Sequence, residues 1–494
     1  MKTSMVRIIS LLVAIMMLVA CTCSCASDKT ADSSSLAQSK SSSKASGLSS
    51  KATGSKEVST EAYLNGVDIS KYTIVYGEDS LDYVYRAAKY ICDEIEERVG
   101  VELDMVKDSA QQAEHEILVG ETTRDTSKAL NANLSGTNFA LLAKDGNVAM
   151  EANYFVIAAA AYYFVETYIP EKAEFSTAVP TKTTECTPIT KKAKNYIVLI
   201  GDGMGVPQTK LFENKGLLES SPIKIDGENF FYGYMLPYSG FSRTDSLTGT
   251  TDSAAGGTAL SCGFKTKNYY VGLDENKEKL TSLTEIAGSL GMATAVMSTE
   301  ASTGATPASF SAHAEDRNLS EEILASQKEL KDKYGTIINC DLVGSGSIPL
   351  IEQEVTNTIK KLAKNEKGFF MMYEEAHIDK NCHNKKVEET FQCVLRFNQI
   401  IGVVMEYAFY NPETFVLITA DHETGGMKKD EETGDYVYTK GDHSSQDVPI
   451  FAYGAGAQVF NGKTIENIQI PRTISLMMGK EIVASDSNEF PALK

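Results

Sequence analysis

Residues 195–205 read Asn-Tyr-Ile-Val-Leu-Ile-Gly-Asp-Gly-Met-Gly, an apolar run that ends in glycines around Asp202. The apolar run predicts a buried strand, and the glycines predict a tight turn that leaves Asp202 room beside a ligand. From about residue 195 onward strand and helix patterns alternate, which predicts a largely parallel sheet covered by helices. Ligands of such sheets bind beyond the carboxyl ends of the strands, so Asp202 marks a candidate site.

Three further apolar runs, at 293–298, 368–373 and 415–419, also lead into polar residues. These residues are Thr306, His313 and Arg317 after the first run, Glu374, Asp379 and His383 after the second, and Asp421 and His422 after the third. Three of the six histidines (His383, His422 and His443) lie in these downstream acidic segments. Carboxylates with imidazoles suit zinc, and carboxylates with hydroxyl oxygens suit magnesium. Asp379 and His383 are four residues apart, so on a helical turn they share one face.

A serine followed by small residues forms a second motif, Thr251-Asp-Ser-Ala-Ala-Gly-Gly-Thr258. Small side chains let the backbone approach a ligand closely, and a helix N-terminus favours an anion. Ser253 is therefore a candidate nucleophile, which a metal ion could activate in place of a histidine. The alternative is a purely structural Ser253 that caps a tightly packed helix.

Together these motifs resemble those of the alkaline phosphatase family over about residues 194–454. The resemblance implies an α/β fold with a central, mostly parallel sheet flanked by helices. It implies hydrolysis of phosphate monoesters in two displacements, in which Ser253 becomes phosphoserine and Arg317 binds the phosphate. It also implies two zinc ions and one magnesium ion. The implied ligands are Asp379, His383 and His443 for one zinc, Asp202, Asp421 and His422 for the other, and Asp202, Thr306 and Glu374 for magnesium.

The chain departs from the family pattern at Gly304, where many relatives carry Asp or His near the magnesium, so an altered metal preference is expected. Lys380 matches a position from which relatives reach the phosphate. His377 and His313 match no such role and are interpreted as supporting residues. The short segment between His422 and His443 predicts a hairpin. Histidine ligands must be neutral to bind metal, so a neutral to alkaline pH optimum is expected.

The composition fits a globular protein and excludes one class of partner. The chain has 494 residues, of which 42% are hydrophobic, and a formal net charge of −19. An acidic surface argues against nucleic-acid binding, which requires dense Lys and Arg. Six cysteines beyond the N-terminal segment lack CxxC spacing, so a thiolate metal site is not expected, and Cys382 and Cys393 are one candidate disulfide pair.

The N-terminal segment predicts export. Lys2 and Arg7 precede a short apolar run, which is typical of a signal peptide at 1–20. Leu18-Val-Ala-Cys21 resembles a bacterial lipobox, which implies lipidation of Cys21 and anchoring to the cell membrane; a secretory signal cut near Ala26 is the alternative. Residues 21–60 are rich in Ser, Ala and Lys and predict a flexible tether.

Residues 61–188 predict a small α/β domain ahead of a catalytic domain at 189–494. Strands are expected at 72–76, 116–119, 139–143 and 147–152, with helices around 84–95 and 155–168. The order of elements resembles the small α/β domain in front of some glycoside hydrolases. No cluster of His, Asp or Glu stands out, so a packing or spacer role is favoured over sugar binding.

Three rival functions follow from the same residues. A phosphodiesterase or phosphomutase on the same fold would share most metal ligands, but Ser253 and Arg317 favour the monoesterase. A sulfatase is disfavoured because Ser253 lacks the Ser-x-Pro-x-Arg context. A catalytically silent surface lipoprotein would lack a nucleophile or ligands, and all are present here. A homodimer is compatible with the family resemblance.

Overall fold

Two sheets organise the protein in the computed structural model, which describes residues 61–494 apart from 173, 215, 218–229 and 345–346. The predicted signal, Cys21 and the tether therefore lie outside the described residues. Residues Val58–Lys494 form one compact unit. No helix among the described residues is both long and apolar enough to cross a bilayer.

The N-terminal part contains a six-stranded sheet in the order β4-β3-β5-β7-β6-β9 and a three-stranded sheet in the order β2-β1-β8. Its strands are β1 (Ala62–Leu64), β2 (Val67–Asp68), β3 (Tyr72–Tyr76), β4 (Met105–Lys107), β5 (His115–Val119), β6 (Phe139–Lys144), β7 (Asn147–Ala152), β8 (Phe175–Thr177) and β9 (Thr184–Cys186). Its helices are α1 (Asp82–Val99), α2 (Asp125–Lys128) and α3 (Ile157–Tyr168).

The elements predicted for this part are present with small shifts at their boundaries: β5 begins one residue earlier than expected and β6 ends one residue later. Ala87, Ala88, Ile91 and Ile95 form the buried face of α1, as their helical spacing predicts. The second predicted helix begins at Ile157 rather than Phe155, because Tyr154–Val156 forms a 3-10 turn ahead of it.

The larger sheet has eight strands in the order β13-β12-β14-β10-β15-β20-β11-β21. Its strands are β10 (Asn195–Gly201), β11 (Tyr238–Arg243), β12 (Ala293–Ser298), β13 (Ile337–Asn339), β14 (Phe369–Glu375), β15 (Thr414–Thr419), β20 (Val448–Tyr453) and β21 (Thr464–Glu466). Four short strands form two further pairs: β16 (Glu423–Thr424) with β19 (His443–Ser444), and β17 (Lys428–Lys429) with β18 (Tyr436–Val437). The helices are α4 (Val206–Thr209), α5 (Ser253–Cys262), α6 (Leu283–Ser289), α7 (Ala305–Ser311), α8 (Ser320–Tyr334), α9 (Ile348–Leu362), α10 (His377–His383), α11 (Val387–Tyr410) and α12 (Gln469–Met478).

Strand β10 lies in the middle of the sheet and is buried on both faces. Ile197 and Leu199 join one hydrophobic core, whereas Tyr196, Val198 and Ile200 join another. This burial explains why the strand is apolar throughout rather than alternating. Its neighbours β14 and β15 run parallel to it, and only β20 pairs antiparallel with β15 and β11. The predicted fold, a mostly parallel α/β sheet flanked by helices, is confirmed.

The two parts share one core across α11. Phe155 stacks on Phe409 with ring centroids 6.1 Å apart. The Arg86 guanidinium donates hydrogen bonds to both carboxylate oxygens of Glu406. The core cluster that contains Ile197 and Leu199 of β10 also contains residues of α1 and α3. The N-terminal part is therefore packed onto the helical layer behind the large sheet.

The cysteines of the described residues are free thiols, so the disulfide suggested for Cys382 and Cys393 is wrong. Tyr438 donates a hydrogen bond to Cys382 Sγ at 3.2 Å, and Asn381 donates to Cys393 Sγ at 3.4 Å. Burial raises the pKa of both thiols to about 12, which keeps them protonated and unreactive.

Candidate metal centre

The carboxyl ends of the three central strands bring the candidate acidic residues together. Ile200 of β10 lies beside Glu374 of β14 and Thr419 of β15. Asp202 directly follows β10 and Asp421 follows β15 after Ala420, so the two carboxylates meet at one edge of the sheet. Glu374 was expected just after its strand, but it lies inside β14, because that strand extends to Glu375.

Asp202, Asp421 and His422 form one group of potential ligands, whose donor atoms lie within 4.8 Å of one another. Asp202 Oδ1 and Asp421 Oδ2 are buried and have no hydrogen-bond partner among the described residues. Burial and then the charge of Asp379 raise the pKa of Asp421 to about 7, and burial lowers the pKa of His422 well below its usual value. Buried carboxylates without hydrogen-bond partners are unfavourable, and a cation bound between them and the neutral imidazole would stabilise them.

Asp379, His422 and His443 form a second group within the same distance. His383, which the sequence placed in this set, is adjacent to it: its Nε2 lies 3.3 Å from Asp379 Oδ2 and 3.1 Å from His443 Nε2. Burial would raise the pKa of Asp379, but hydrogen bonds from His383 and His443 lower it well below its usual value. The hydrogen bond to Asp379 raises the pKa of His383 to about 9.

Backbone carbonyls orient two of these imidazoles. His443 Nδ1 lies 2.8 Å from the Thr251 carbonyl oxygen, and His383 Nδ1 lies 2.6 Å from the Gly441 carbonyl oxygen. Each ring therefore turns its Nε2 toward Asp379. Fixing one ring nitrogen in this way is how proteins set the orientation and tautomer of metal-binding histidines.

The predicted hairpin brings His443 to His422. Thr424 pairs with His443 across β16 and β19, and the His422 and His443 rings stack 3.7 Å apart. Thr424 Oγ1 donates to Asp379 Oδ1 at 2.5 Å. Glu423, buried at the base of the hairpin, accepts hydrogen bonds from Gln208 and from the Met427 amide. The hairpin thus carries the potential ligand His443 and, through Thr424, positions the potential ligand Asp379.

Asp202, Thr306 and Glu374 form a third group, because after burial the charge of Glu374 is among the causes that raise the pKa of Asp202, and Thr306 is among the groups that act on the pKa of Glu374. Thr306 Oγ1 and Glu374 Oε1 are buried without a hydrogen-bond partner among the described residues, as is Asp202 Oδ1. Ser298 Oγ donates to the other Glu374 oxygen. Burial, followed by the charge of Glu300, raises the pKa of Glu374 well above its usual value. Carboxylate and hydroxyl oxygens without nitrogen or sulfur are the ligand set that magnesium prefers.

Ser253 begins helix α5, as the small-residue motif predicts. Its Oγ lies 3.2 Å from His422 Nε2. The helix must approach the strand ends closely: a Cβ on Gly256 would lie 3.1 Å from the Asp421 carbonyl oxygen, and one on Gly257 would lie 3.0 Å from Ser309 Cβ. The glycines therefore bring the serine hydroxyl to the ligand groups.

Asp252 was given no role by the sequence, yet it connects the serine to Arg317. Its Oδ1 accepts a hydrogen bond from the Ala255 amide at 3.0 Å, which caps α5, and its Oδ2 accepts from Arg317 Nη1 at 3.1 Å. The Tyr269 amide donates to the same carboxylate. An acidic residue directly before a helix start is an N-cap signal, but its second bond to Arg317 has no local sequence signature.

Lys380, His377 and His313 have structural partners. Lys380 Nζ lies 2.7 Å from Glu300 Oε2. His377, interpreted as a supporting residue, is the first residue of α10, and its Nδ1 lies 3.2 Å from Thr299 Oγ1. His313 Nε2 lies 2.7 Å from the Leu280 carbonyl oxygen. None of the three belongs to the groups of potential ligands described above.

Comparison with known proteins gives consistent matches. A family model described as alkaline phosphatase matches residues 193–346 and 335–439. Alkaline phosphatase 4 of Bacillus subtilis is 28% identical over 290 residues, which cover 47% of this chain and 62% of that protein. The chain thus spans a little under two thirds of the length of that relative.

Two solved structures are also similar. The alkaline phosphatase of the Antarctic bacterium TAB5 is 28% identical with a TM-score of 0.51, covering 58% of this chain and 99% of that one. A TAB5 variant with a histidine replaced by glutamate has Mg bound in its M3 site; it is 27% identical with a TM-score of 0.51, covering 59% of this chain and 99% of the other.

Proposed function

The chain belongs to the alkaline phosphatase family of metal-dependent phosphomonoesterases, and we propose that it hydrolyses phosphate monoesters through a phosphoserine formed on Ser253. One observation carries this proposal: the Ser253 hydroxyl lies 3.2 Å from His422, whose imidazole belongs to both groups of potential ligands. A nucleophile, a neutral imidazole and unpaired buried carboxylates therefore meet at one point.

The ligand groups fit the metals that the family resemblance implies. Asp379, His383 and His443 would hold one zinc, since the Nε2 atoms of both histidines lie near the Asp379 carboxylate. Asp202, Asp421 and His422 would hold the other. Asp202, Thr306 and Glu374 would hold magnesium through oxygens that have no other partner among the described residues. Bound cations would supply the positive charge that stabilises the Ser253 alkoxide and the phosphoryl oxygens.

The protein's own groups then define two displacements. Ser253 Oγ gives up its proton and attacks phosphorus as the bond to the ester oxygen breaks, and the leaving oxygen takes that proton and departs as the alcohol. Water next attacks phosphorus, the bond to Ser253 Oγ breaks, one proton of the water returns to Ser253 Oγ, and inorganic phosphate leaves. Among the described residues, Asp252 accepts a hydrogen bond from Arg317 Nη1, and the other guanidinium N–H groups can donate charge-assisted hydrogen bonds to phosphate oxygens.

The phosphoserine can be tested directly. We expect a phosphoryl group on the peptide that contains Ser253 after incubation with inorganic phosphate and acid quenching, detected by mass spectrometry. Ser253→Ala should abolish the label and the turnover. Ser261→Ala, which removes another buried hydroxyl from the same helix, should leave both intact. A label on a different residue would refute the proposed nucleophile.

We also propose export and lipid anchoring through Cys21, which rests on the lipobox-like Leu18-Val-Ala-Cys21. The expected finding is membrane-associated protein with a lipid on Cys21 and release by Cys21→Ser; soluble mature protein cut near Ala26 would refute it.

The N-terminal part is proposed to act as a spacer, supported by its packing on α11. Its resemblance to domains of glycoside hydrolases, and a homodimer, stay predictions.

A further inference from the structure

Gly304 is a glycine for reasons of space rather than backbone conformation. It precedes α7 with φ −58° and ψ 152°, values that any residue can adopt. A Cβ at this position, however, would lie 1.8 Å from Glu300 Oε1 and 2.2 Å from Glu300 Cδ. The volume that a side chain at 304 would take is therefore filled by the carboxylate of Glu300.

The main chain holds Glu300 firmly in this place. Its amide donates to Ser298 Oγ at 3.0 Å, and Ser298 Oγ in turn donates to the Glu374 carboxylate. Its carbonyl oxygen accepts a hydrogen bond from the Asp341 amide. Its carboxylate binds Lys380 at 2.7 Å, with 15% of the Glu300 side chain exposed against 47% of the Lys380 side chain.

The charge of the Glu300 carboxylate acts on the third ligand group. After burial, it is among the causes that raise the pKa of Glu374 and of Asp202. One hydrogen-bonded serine separates the Glu300 amide from Glu374, and α7, which carries Thr306, starts directly after Gly304. Asp202 Oδ1, Thr306 Oγ1 and Glu374 Oε1 are buried and have no hydrogen-bond partner among the described residues. A further carboxylate here adds negative charge to an all-oxygen site.

We propose that Glu300 supplies from position 300 the acidic side chain that position 304 lacks, and that it makes the site of Asp202, Thr306 and Glu374 selective for magnesium. This inference rests on the metal assignment of the proposed function. Added carboxylate charge without nitrogen favours Mg²⁺ over zinc. By binding Lys380, Glu300 also fixes the position of that ammonium group beside the site.

The test moves the carboxylate between the two positions. Zinc-loaded wild type, Glu300→Gln and the double variant Glu300→Ala with Gly304→Asp would be titrated with MgCl₂ by calorimetry, and the Mg²⁺-dependent rise in Tm would be measured. Truncating Glu300 removes the atoms that a side chain at 304 would meet. Glu413→Gln is the matched control, since Glu413 forms a comparable ion pair with Lys194, 2.6 Å long, at the opposite end of the sheet.

We expect Glu300→Gln to weaken Mg²⁺ binding about tenfold, equivalent to about 1.4 kcal/mol, and to shift metal content toward zinc. The double variant should regain Mg²⁺ affinity, and Glu413→Gln should match wild type. Wild-type affinity and an unchanged Tm rise in folded Glu300→Gln would overturn the inference. A wild type that binds no Mg²⁺ would overturn it together with the magnesium assignment, whereas Ser253-dependent turnover with zinc alone would show the proposed reaction intact.

Discussion

At the scale of single residues, Asp252 links Arg317, which we propose binds the phosphate, to the start of the helix that carries the proposed nucleophile Ser253. The same carboxylate caps the helix that begins with Ser253 and accepts a hydrogen bond from Arg317. Because both contacts use one side chain, the guanidinium and the hydroxyl keep a fixed relative position. Preorganisation of this kind reduces the cost of orienting the phosphate ester.

Arg317→Lys is expected to weaken competitive inhibition by inorganic phosphate. A lysine cannot donate two parallel hydrogen bonds, so we expect a loss of about 1.5–3 kcal/mol, roughly tenfold to a hundredfold in the inhibition constant. Arg243→Lys is the matched control, because Arg243 is 57% exposed and pairs with Glu466 outside the ligand groups. An unchanged inhibition constant in Arg317→Lys would exclude Arg317 from phosphate binding.

At the scale of elements, the glycine turn after β10 determines how closely α10 approaches the sheet. Gly203 has φ +72°, and a Cβ there would lie 2.9 Å from both Asp379 Cβ and Thr424 Oγ1. The sequence motif predicts this turn because only glycine adopts the conformation freely. Its second role, leaving room for Asp379, depends on tertiary packing.

Gly203→Ala should lower zinc affinity about tenfold or more, the size of effect seen when the support of a ligand is disturbed. Gly100→Ala is the control, since Gly100 has φ +75° with no atom within 4 Å of its added Cβ. Both variants should lose about 1–2 kcal/mol of stability from the left-handed backbone, but only Gly203→Ala should lose metal. Equal zinc affinities, measured by competition with a chromogenic chelator, would contradict this account.

The sequence predicts most elements of the site but not how they combine. Local sequence patterns predict the strands that precede Asp202 and Asp421, and both strands are present. They also predict the helical turn that carries Asp379 and His383, which is present as well. The stacking of His443 on His422 depends on the register of β16 and β19, which is a tertiary property. Likewise, Gly304 was visible as a departure, but the carboxylate of Glu300 in its place was not.

At the scale of the whole molecule, the ligand groups couple folding to metal and pH. Burial raises the pKa of Asp421 to about 7 in the metal-free protein, and its unfolded value is near 3.8. The hydrogen bond to Asp379 raises the pKa of His383 from 6.5 to about 9. Both groups bind protons more tightly in the folded state, so the stability they contribute is present at low pH and is lost as pH rises through those values.

Chelated protein should therefore lose stability between pH 6.5 and 9, by roughly 1.4 kcal/mol per pH unit for each proton released. Burial lowers the pKa of His422 from its unfolded value of 6.5. This residue therefore makes stability increase with pH, but only below pH 6.5. Metal-loaded protein should change less, because cations neutralise the carboxylates. Calorimetry on dialysed metal-free and metal-loaded protein would give the difference between their Tm values at each pH. A difference in Tm that becomes smaller as pH rises would contradict the prediction.

The central claim, a metal-dependent monoesterase that uses Ser253, is tested most directly by hydrolysis of p-nitrophenyl phosphate compared with the bis-ester. Wild type and Ser253→Ala would be assayed in three states: with metals bound, after chelation, and after zinc and magnesium have been restored. The account predicts monoester turnover that chelation abolishes, that metals restore and that Ser253→Ala lacks. Preference for the bis-ester, or turnover that survives in Ser253→Ala, would contradict it.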